Sequence, residues 1–210
     1  MIQATIVIAT VVVAYLLGSF PAGYLLGRVW GVNVLKWGSG RTGGTNVLRA
    51  AGPIAALLTG ALDVGKGALA VWLAGQIAPQ DMAATSQVLA GAAVILGHNH
   101  SIFLGFRGGA GVGTSLGALG ALYWPAAIGL VVLLLVIIGI SRYASLGSLI
   151  VVTLMPITLV ALAAVGRLPS AYILYGFLAW ALIVCAHRPN IRRLLQGTER
   201  RIGEKRHPPS

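Results

Sequence analysis

Long apolar runs separated by short polar segments dominate this chain. The runs cover residues 2–26, 52–77, 82–97, 112–140, 146–165 and 171–186. A membrane-spanning helix needs roughly 20 apolar residues, so the pattern predicts a series of such helices joined by short loops. No basic residue precedes the first run and no small-residue cleavage pattern follows it, which predicts a retained span rather than a signal peptide.

The run at 112–140 has two interpretations, because Pro125 lies near its middle. It is either one tilted helix or a short helix to Tyr123 followed by a second helix. The split is favoured because it sorts thirteen of the fifteen Lys and Arg residues to one face, as expected of cytoplasmic loops. Without it, Arg107 and Arg142 would lie on opposite faces. We therefore expect an all-α integral membrane protein with about seven transmembrane helices, the N-terminus outside and the C-terminus cytoplasmic.

The thirteen residues on the cytoplasmic face are Arg28, Lys36, Arg41, Arg49, Arg107, Arg142, Arg188, Arg192, Arg193, Arg200, Arg201, Lys205 and Arg206. The segment 1–197 is expected to form one membrane-embedded domain. The polar, basic segment 198–210 is expected to be a disordered cytoplasmic tail.

Composition supports the membrane assignment. Of the 210 residues, 57% are hydrophobic and only 9% are charged, whereas a soluble domain carries about a quarter charged residues. The net charge is +11, and no separate basic domain exists, so lipid headgroups and small anionic substrates are expected partners and nucleic acid is not. Cys185 is the only cysteine, which excludes an internal disulfide and a thiolate metal cluster.

Two glycine-rich basic loops, at residues 38–46 and 106–114, run into predicted helices on the same face. Free backbone N–H groups at such a junction bind phosphate, and the alternative is a flexible turn that holds basic residues at headgroups. Neither loop follows a strand or ends in Gly-Lys-Ser or Gly-Lys-Thr, so a nucleotide-binding fingerprint is excluded. In the first loop, Ser39, Thr45 and Asn46 add side-chain donors and Arg41 and Arg49 add positive charge. The glycine-rich helix that follows the second loop carries Gly109, Gly113 and Gly117, a spacing that lets helices approach closely.

Ionisable groups within predicted spans are costly and usually functional. Asp63 and Lys66 lie three residues apart on one helix face, so they are either a substrate-contacting set or a self-neutralising pair. His98 and His100 have no third ligand nearby in sequence, so a metal site is not expected. Hydrogen bonds at the helix end are the alternative for these histidines.

Two further polar groups follow predicted spans and suit a small phosphorylated polyol. They are Ser141, Arg142 and Ser145, and His187, Arg188 and Asn190. Membrane topology alone is the alternative explanation for Arg142 and Arg188.

Six segments in this order resemble the bacterial membrane acyl-phosphate:glycerol-3-phosphate acyltransferases, the PlsY family. They are GSFPAGYLLG, GSGRTGGTNVLRAAG, LDVGKGALAV, GHNHSIFLGFRGGAGVGTSLG, SRYASLGSL and HRPNIRRLLQGTE, and they extend over residues 18–199. The resemblance implies a seven-span enzyme of the inner membrane with a cytoplasmic active site and no cofactor or metal. It implies acyl transfer from acyl phosphate to the 1-hydroxyl of glycerol 3-phosphate, giving lysophosphatidic acid and phosphate.

The resemblance, together with the residue chemistry above, gives the candidate site. The catalytic candidates are Ser39, Arg49, Lys66 and His187; the acyl-phosphate candidates are Gly40, Arg41, Thr45, Asn46, Gly108, Gly109 and Gly111; the glycerol 3-phosphate candidates are Ser141, Arg142, Ser145 and Asn190. Phosphate is a good leaving group, so the transition state mainly needs cations and N–H donors. The resemblance also implies that a substrate phosphate oxygen accepts the proton, which fits predicted inside loops with no carboxylate ahead of Glu199.

Both loops depart from the family pattern, at four positions in all. The second loop usually reads Gly-Gly-Lys-Gly, and here Ala110 takes the place of the lysine. The first loop differs at Arg41, Thr42 and Gly44. A lost charge-assisted hydrogen bond costs on the order of 1.5 to 3 kcal/mol, and we hypothesise that Arg41 restores the charge from the facing loop.

Two other functions compete with the acyltransferase interpretation. Ala110 suggests a protein that binds phosphorylated lipid or donor without turnover. Intramembrane charge and glycines also mark anion transporters, although no repeated halves are found in the sequence. The histidine-x4-aspartate motif of soluble-donor acyltransferases is absent. Five residues after His98, His100 and His187, where the motif has aspartate, the chain has Phe103, Gly105 and Arg192.

Overall fold

A computed structural model describes residues 1–204, and this part of the chain is built from nine α-helices. They are α1 Ile2–Ser19, α2 Ala22–Val29, α3 Gly44–Ala51, α4 Pro53–Ile77, α5 Ala83–Asn99, α6 Val112–Ser141, α7 Ala144–Ala164, α8 Ala171–Ala186 and α9 Arg188–Leu195. Short 3₁₀ turns lie at Val34–Lys36, Gln80–Met82 and Ile102–Leu104. Five of the predicted apolar runs each fall on one helix and the run at 2–26 falls on two, α1 and α2, so the all-α prediction is confirmed for the described residues.

Length and hydropathy identify the helices that are able to cross a bilayer. Four stretches qualify within residues 1–204: Ile2–Val29, Pro53–Ile77, Val112–Ser141 and Ala144–Ala164. Helices α8 and α9 add a fifth if the pair, bent by 64°, is taken together. Large apolar side chains such as Leu57, Leu135 and Leu174 remain exposed on the helix surfaces, as expected of groups that face lipid.

The structure interrupts two of the apolar runs. The first run, predicted as one span over 2–26, breaks between α1 and α2 at Pro21, which lacks the N–H that a continuous helix requires. In α6 the regular helix is interrupted at Tyr123 (φ −160°, ψ 91°), two residues before Pro125. This interruption lies where the sequence predicted a division between two helices.

Helix α4 occupies the centre and contacts α1, α2, α3, α5 and α6. Glycines permit the closest approach to α6: a side chain at Gly117 would overlap the Val64 carbonyl, and one at Gly67 would overlap the Thr114 carbonyl. At Gly117 the predicted small-residue stripe therefore serves close packing between helices. On the other side of α6, the buried Tyr175 of α8 donates its hydroxyl to the Ser115 carbonyl at 2.7 Å.

The described start of the predicted tail, residues 198–204, folds back against the helices. The Ile202 N–H donates to the Arg142 carbonyl at 2.8 Å, and the Arg142 guanidinium donates to the Ile202 carbonyl at 2.8 and 3.1 Å. Glu199 is buried, with 8% of its surface exposed. The remainder of the predicted tail, residues 205–210, lies outside the described residues.

Candidate active site

A cavity of about 250 Å³ opens among the two glycine loops, the starts of α3 and α6, the start of α7 and the junction of α8 with α9. It brings together nine predicted site residues that are distant in sequence: Ser39, Arg41, Thr45, Asn46, Arg49, Gly111, Ser145, His187 and Asn190. Six others lie outside the lining: Gly40, Lys66, Gly108, Gly109, Ser141 and Arg142.

Asn46 organises the first glycine loop. Its side-chain N–H groups donate to the carbonyls of Val34, Trp37 and Arg41 at 2.8–3.1 Å, and its side-chain oxygen accepts from the Ser39 N–H. Asn46 is 3% exposed, so its side chain chiefly shapes the loop. Helix α3 then starts at Gly44, with Thr45 and Arg49 on the cavity wall.

The two glycine loops meet at their backbones. The Thr42 N–H donates to the Gly108 carbonyl at 3.3 Å, and the Gly109 N–H donates to the His98 carbonyl at 2.9 Å. Gly111 takes a positive φ of 85° directly before α6, a conformation that glycine adopts without strain. Gly108 and Gly109 therefore fix the position of the loop, while Gly111 reaches the cavity.

Arg41 lies at the junction of α8 and α9, across from its own loop. Its guanidinium donates to the Asn190 side-chain oxygen at 3.2 Å and to the Ala186 carbonyl. Burial lowers the pKa of Arg41 from its usual value, and the neighbouring Arg193 lowers it further. An arginine remains charged even so, and this charge faces the cavity.

His187 caps the same junction. Its Nδ1 lies 2.8 Å from the Ile183 carbonyl, and a carbonyl only accepts, so Nδ1 carries the proton and the neutral ring has a lone pair on Nε2. Burial, followed by the positive charge of Arg41, lowers the pKa of His187 against the opposing effects of Ile183 and Glu199. The ring is therefore neutral near pH 7 and offers the cavity an acceptor.

Glu199 is a site residue that the sequence analysis did not select. Its carboxylate accepts from the Asn190 side-chain N–H at 3.0 Å and from Arg193 Nε at 2.8 Å. Glu199, Arg193 and Arg200 all line the cavity. The only signal in the sequence was an acidic residue within a strongly basic segment.

After α6, Ser145 lines the cavity, whereas the predicted site residues Ser141 and Arg142 do not. The Ser145 hydroxyl is buried, lines the cavity and has no hydrogen-bond partner within residues 1–204. The Ser141 hydroxyl instead donates to the Ile137 carbonyl at 2.6 Å, and the Arg142 guanidinium donates to the Ile202 carbonyl. Among the predicted glycerol 3-phosphate residues, Ser145 and Asn190 are those that face the cavity.

Asp63, Lys66 and His98 form a buried polar cluster behind the second loop. Asp63 Oδ1 lies 3.0 Å from Lys66 Nζ and 3.3 Å from His98 Nδ1. Lys66 also donates to the Phe20 carbonyl at 3.1 Å, so its amine points away from the cavity while Asp63 and His98 line it. Within residues 1–204, no three His, Cys, Asp or Glu side chains converge as metal ligands.

The chain is similar to known proteins over nearly its full length. The family described as "Glycerol-3-phosphate acyltransferase" matches residues 8–197. A glycerol-3-phosphate acyltransferase of Synechococcus sp. (strain CC9902) is 45% identical over 91% of this chain and 92% of its own length. Glycerol-3-phosphate acyltransferase 3 of Dehalococcoides mccartyi (strain ATCC BAA-2266 / KCTC 15142 / 195) is 45% identical over 93% and 95%.

Two solved structures share this fold. The glycerol 3-phosphate form of PlsY (YgiH), an integral membrane glycerol 3-phosphate acyltransferase, matches with a TM-score of 0.83 and 34% identity over 94% of this chain and 96% of that one. The lysophosphatidic acid form matches with a TM-score of 0.81. These matches confirm the resemblance drawn from the sequence. The chain belongs to the glycerol-3-phosphate acyltransferase family.

Proposed function

We propose that this protein transfers an acyl group from acyl phosphate to the 1-hydroxyl of glycerol 3-phosphate at the cytoplasmic face of a bacterial inner membrane. As a member of its family it is a glycerol-3-phosphate acyltransferase, an enzyme whose product is lysophosphatidic acid. The acyl phosphate donor, the residue roles and the orientation are the parts that we add.

The observation that carries the proposal is the charge of the cavity. Four arginines line it, Arg41, Arg49, Arg193 and Arg200, against two carboxylates. Both carboxylates are already engaged, since Asp63 contacts Lys66 and His98, and Glu199 contacts Arg193 and Asn190. The surplus of positive charge suits two phosphorylated substrates held side by side.

The glycine loops suit the donor phosphate. Gly111 leads into α6 and Gly43 leads into α3, so two helix N-termini border one cavity. The first N–H groups of each helix have no acceptor within the helix, and together with the helix dipoles they favour an anion. The same donors stabilise the negative charge that develops on the carbonyl oxygen and on the departing phosphate.

The opposite wall suits the acceptor. Ser145 offers a buried hydroxyl that lacks a partner within residues 1–204, and His187 offers the Nε2 lone pair. In the reaction the 1-hydroxyl oxygen bonds to the acyl carbon, and the bond from that carbon to the phosphate oxygen breaks. The hydroxyl proton passes to a phosphate oxygen, so acyl ester and inorganic phosphate are the products.

We place the cavity at the cytoplasmic surface and count seven spans, with α6 divided at Tyr123. Arg41 of the first glycine loop, Arg49 of α3 and two arginines of the C-terminal segment gather at the cavity. Such charges accumulate on the cytoplasmic side. With α6 counted as two, the helices α1, α4, α5, α6, α7 and α8 supply seven apolar segments.

Product formation by the purified protein in lipid vesicles tests the donor, with inorganic phosphate and lysophosphatidic acid both measured. With palmitoyl phosphate and glycerol 3-phosphate together we expect both products, and with palmitoyl-CoA in place of palmitoyl phosphate we expect no acyl transfer. A heat-inactivated sample is the control. Transfer from palmitoyl-CoA, with none from palmitoyl phosphate, would overturn the proposed donor.

A further inference from the structure

Asp63 and Lys66 are buried on α4, and their contacts fit neither of the two interpretations drawn from the sequence. Lys66 Nζ donates to the Phe20 carbonyl at 3.1 Å, on the side away from the cavity, so it does not reach a substrate there. Asp63 also contacts His98 on another helix, so the two residues are more than a self-neutralising pair. The contact with His98 indicates a role for Asp63 in positioning the residues around the cavity.

His98 supports the second glycine loop with both its backbone and its ring. The His98 carbonyl accepts the Gly109 N–H at 2.9 Å. The packing is close, because a side chain at Gly109 would overlap His98 Nε2 and one at Gly108 would overlap the His98 carbonyl. A change in the orientation of the ring would therefore displace the loop.

Asp63 sets the orientation of that ring. Its Oδ1 lies 3.3 Å from His98 Nδ1. A carboxylate only accepts, so Nδ1 carries the proton and donates to Asp63. Both side chains are buried, with 5% of each residue exposed, so a ring that lost this acceptor would have a buried N–H without a partner.

Lys66 compensates the charge that this arrangement brings to the cavity. Asp63 lines the cavity wall, where an uncompensated carboxylate would repel a phosphate. Lys66 Nζ lies 3.0 Å from Asp63 Oδ1 and does not line the cavity itself. The lysine therefore neutralises Asp63 without occupying the space of a substrate.

We propose that Asp63, neutralised by Lys66, is a positioning residue that holds the second glycine loop in place through His98. The loop reaches the cavity at Gly111, and a shift of about 1 Å in a group that places a substrate costs much of its effect. The inference rests on the proposed function only in taking the cavity to hold phosphorylated substrates. It does not depend on the identity of the acyl donor.

Two double variants separate positioning from charge neutralisation. Asp63→Asn with Lys66→Met removes both charges and leaves an amide oxygen that accepts from His98 Nδ1. Asp63→Leu with Lys66→Met also removes both charges, keeps the branched shape and leaves no acceptor. Both avoid the uncompensated buried charge that a single substitution would create. Asp81→Asn is the matched control, because Asp81 is an exposed acid in the turn after α4.

Steady-state kinetics with palmitoyl phosphate and glycerol 3-phosphate, together with Tm of the same preparations, give the test. We expect KM for one of the two substrates to be roughly tenfold higher in the leucine variant than in the asparagine variant, as for the loss of a buried hydrogen bond. The substrate whose KM rises is the one whose phosphate lies at this loop. The other KM and kcat at saturation should differ little between the two variants, whereas a merely structural role would lower Tm and kcat without separating the two KM values.

Equal KM values in the two double variants, or an equal rise in KM for both substrates, would overturn the proposal. If the leucine variant does not fold, Asp63→Glu gives the second measurement, because it keeps the charge and moves the acceptor by one methylene. It should raise the KM of one substrate, and two unchanged KM values would overturn the proposal.

Equilibrium binding keeps this test separate from that of the donor. If the native protein is inactive with palmitoyl phosphate, the proposed donor is wrong. Calorimetric titration of the same variants with glycerol 3-phosphate and with inorganic phosphate then decides the positioning role. We expect weaker binding of at least one of these anions in the leucine variant than in the asparagine variant, and equal binding of both would overturn the proposal.

Discussion

Replacing Glu199 with glutamine tests whether the C-terminal segment is a working part of the cavity wall. The carboxylate is buried and accepts from Asn190 at 3.0 Å and from Arg193 at 2.8 Å. Glutamine keeps one acceptor oxygen and turns an N–H₂ group towards the other donor. One of the two contacts is therefore lost, and the ion pair becomes a neutral contact.

The structure sets the size of the effect. A hydrogen bond to a charged group contributes about 1.5–3 kcal/mol, and the side chain of Arg193 is 28% exposed, so solvent screens part of its pairing energy. We expect Glu199→Gln to lower the free energy of unfolding by about 2 kcal/mol, which for a chain of this length is a fall in Tm of about 4–8 °C.

Thermal unfolding in lipid, followed by tryptophan fluorescence, measures this shift. Glu204→Gln is the matched control, because Glu204 is exposed in the same segment and its replacement should leave Tm unchanged. Asn190 also positions Arg41, so Glu199→Gln should raise KM for glycerol 3-phosphate as well. A Tm within about 1 °C of the native value, with unchanged KM, would refute the contacts assigned to this segment.

Three further predictions concern the loops, the helix packing and the pH dependence. The compensation hypothesis predicts that Arg41→Asn and Ala110→Lys interact, so that lysine reduces the kcat/KM loss caused by Arg41→Asn; purely additive effects in a double-mutant cycle would contradict it. Gly117→Val should lower Tm strongly because its side chain would overlap the backbone of α4, whereas Gly65→Ala, with open space around it, should not. Because the pKa of His187 is lowered in the folded protein, the folded state binds fewer protons, and stability and activity should fall only as pH drops below about 6.5. The pH dependence of kcat/KM checks this. If kcat/KM still falls at low pH in the His187→Gln variant, a group other than His187 causes the fall.

Hydropathy predicted the helices correctly for a physical reason. In lipid, backbone N–H and C=O groups must be hydrogen-bonded within the protein, so a long apolar run forms a helix with an apolar surface. The run predicted at 171–186 coincides with α8, and the break predicted near Pro125 appears at Tyr123. The break at Pro21 was missed because the residues on both sides are apolar, so hydropathy alone carries no signal there. In that case the missing N–H of proline decided the geometry.

The candidate site was less accessible to sequence reasoning than the fold. Glycine and basic residues identified the two loops, because phosphate binding needs those residue types. The sequence did not predict that Arg142 donates to the Ile202 carbonyl, or that the side chains of Asp63 and His98 are in contact. Such contacts depend on how helices pack and on where a polar segment folds back, which single-sequence patterns do not encode.

The central claim is that this chain couples acyl phosphate to glycerol 3-phosphate, and product stoichiometry tests it most directly. Purified protein in lipid vesicles is mixed with palmitoyl phosphate, with and without glycerol 3-phosphate, and lysophosphatidic acid and inorganic phosphate are both quantified. We predict equal amounts of the two products, formed only when glycerol 3-phosphate is present. Phosphate release without lysophosphatidic acid, or binding of palmitoyl phosphate without any product, would contradict the account.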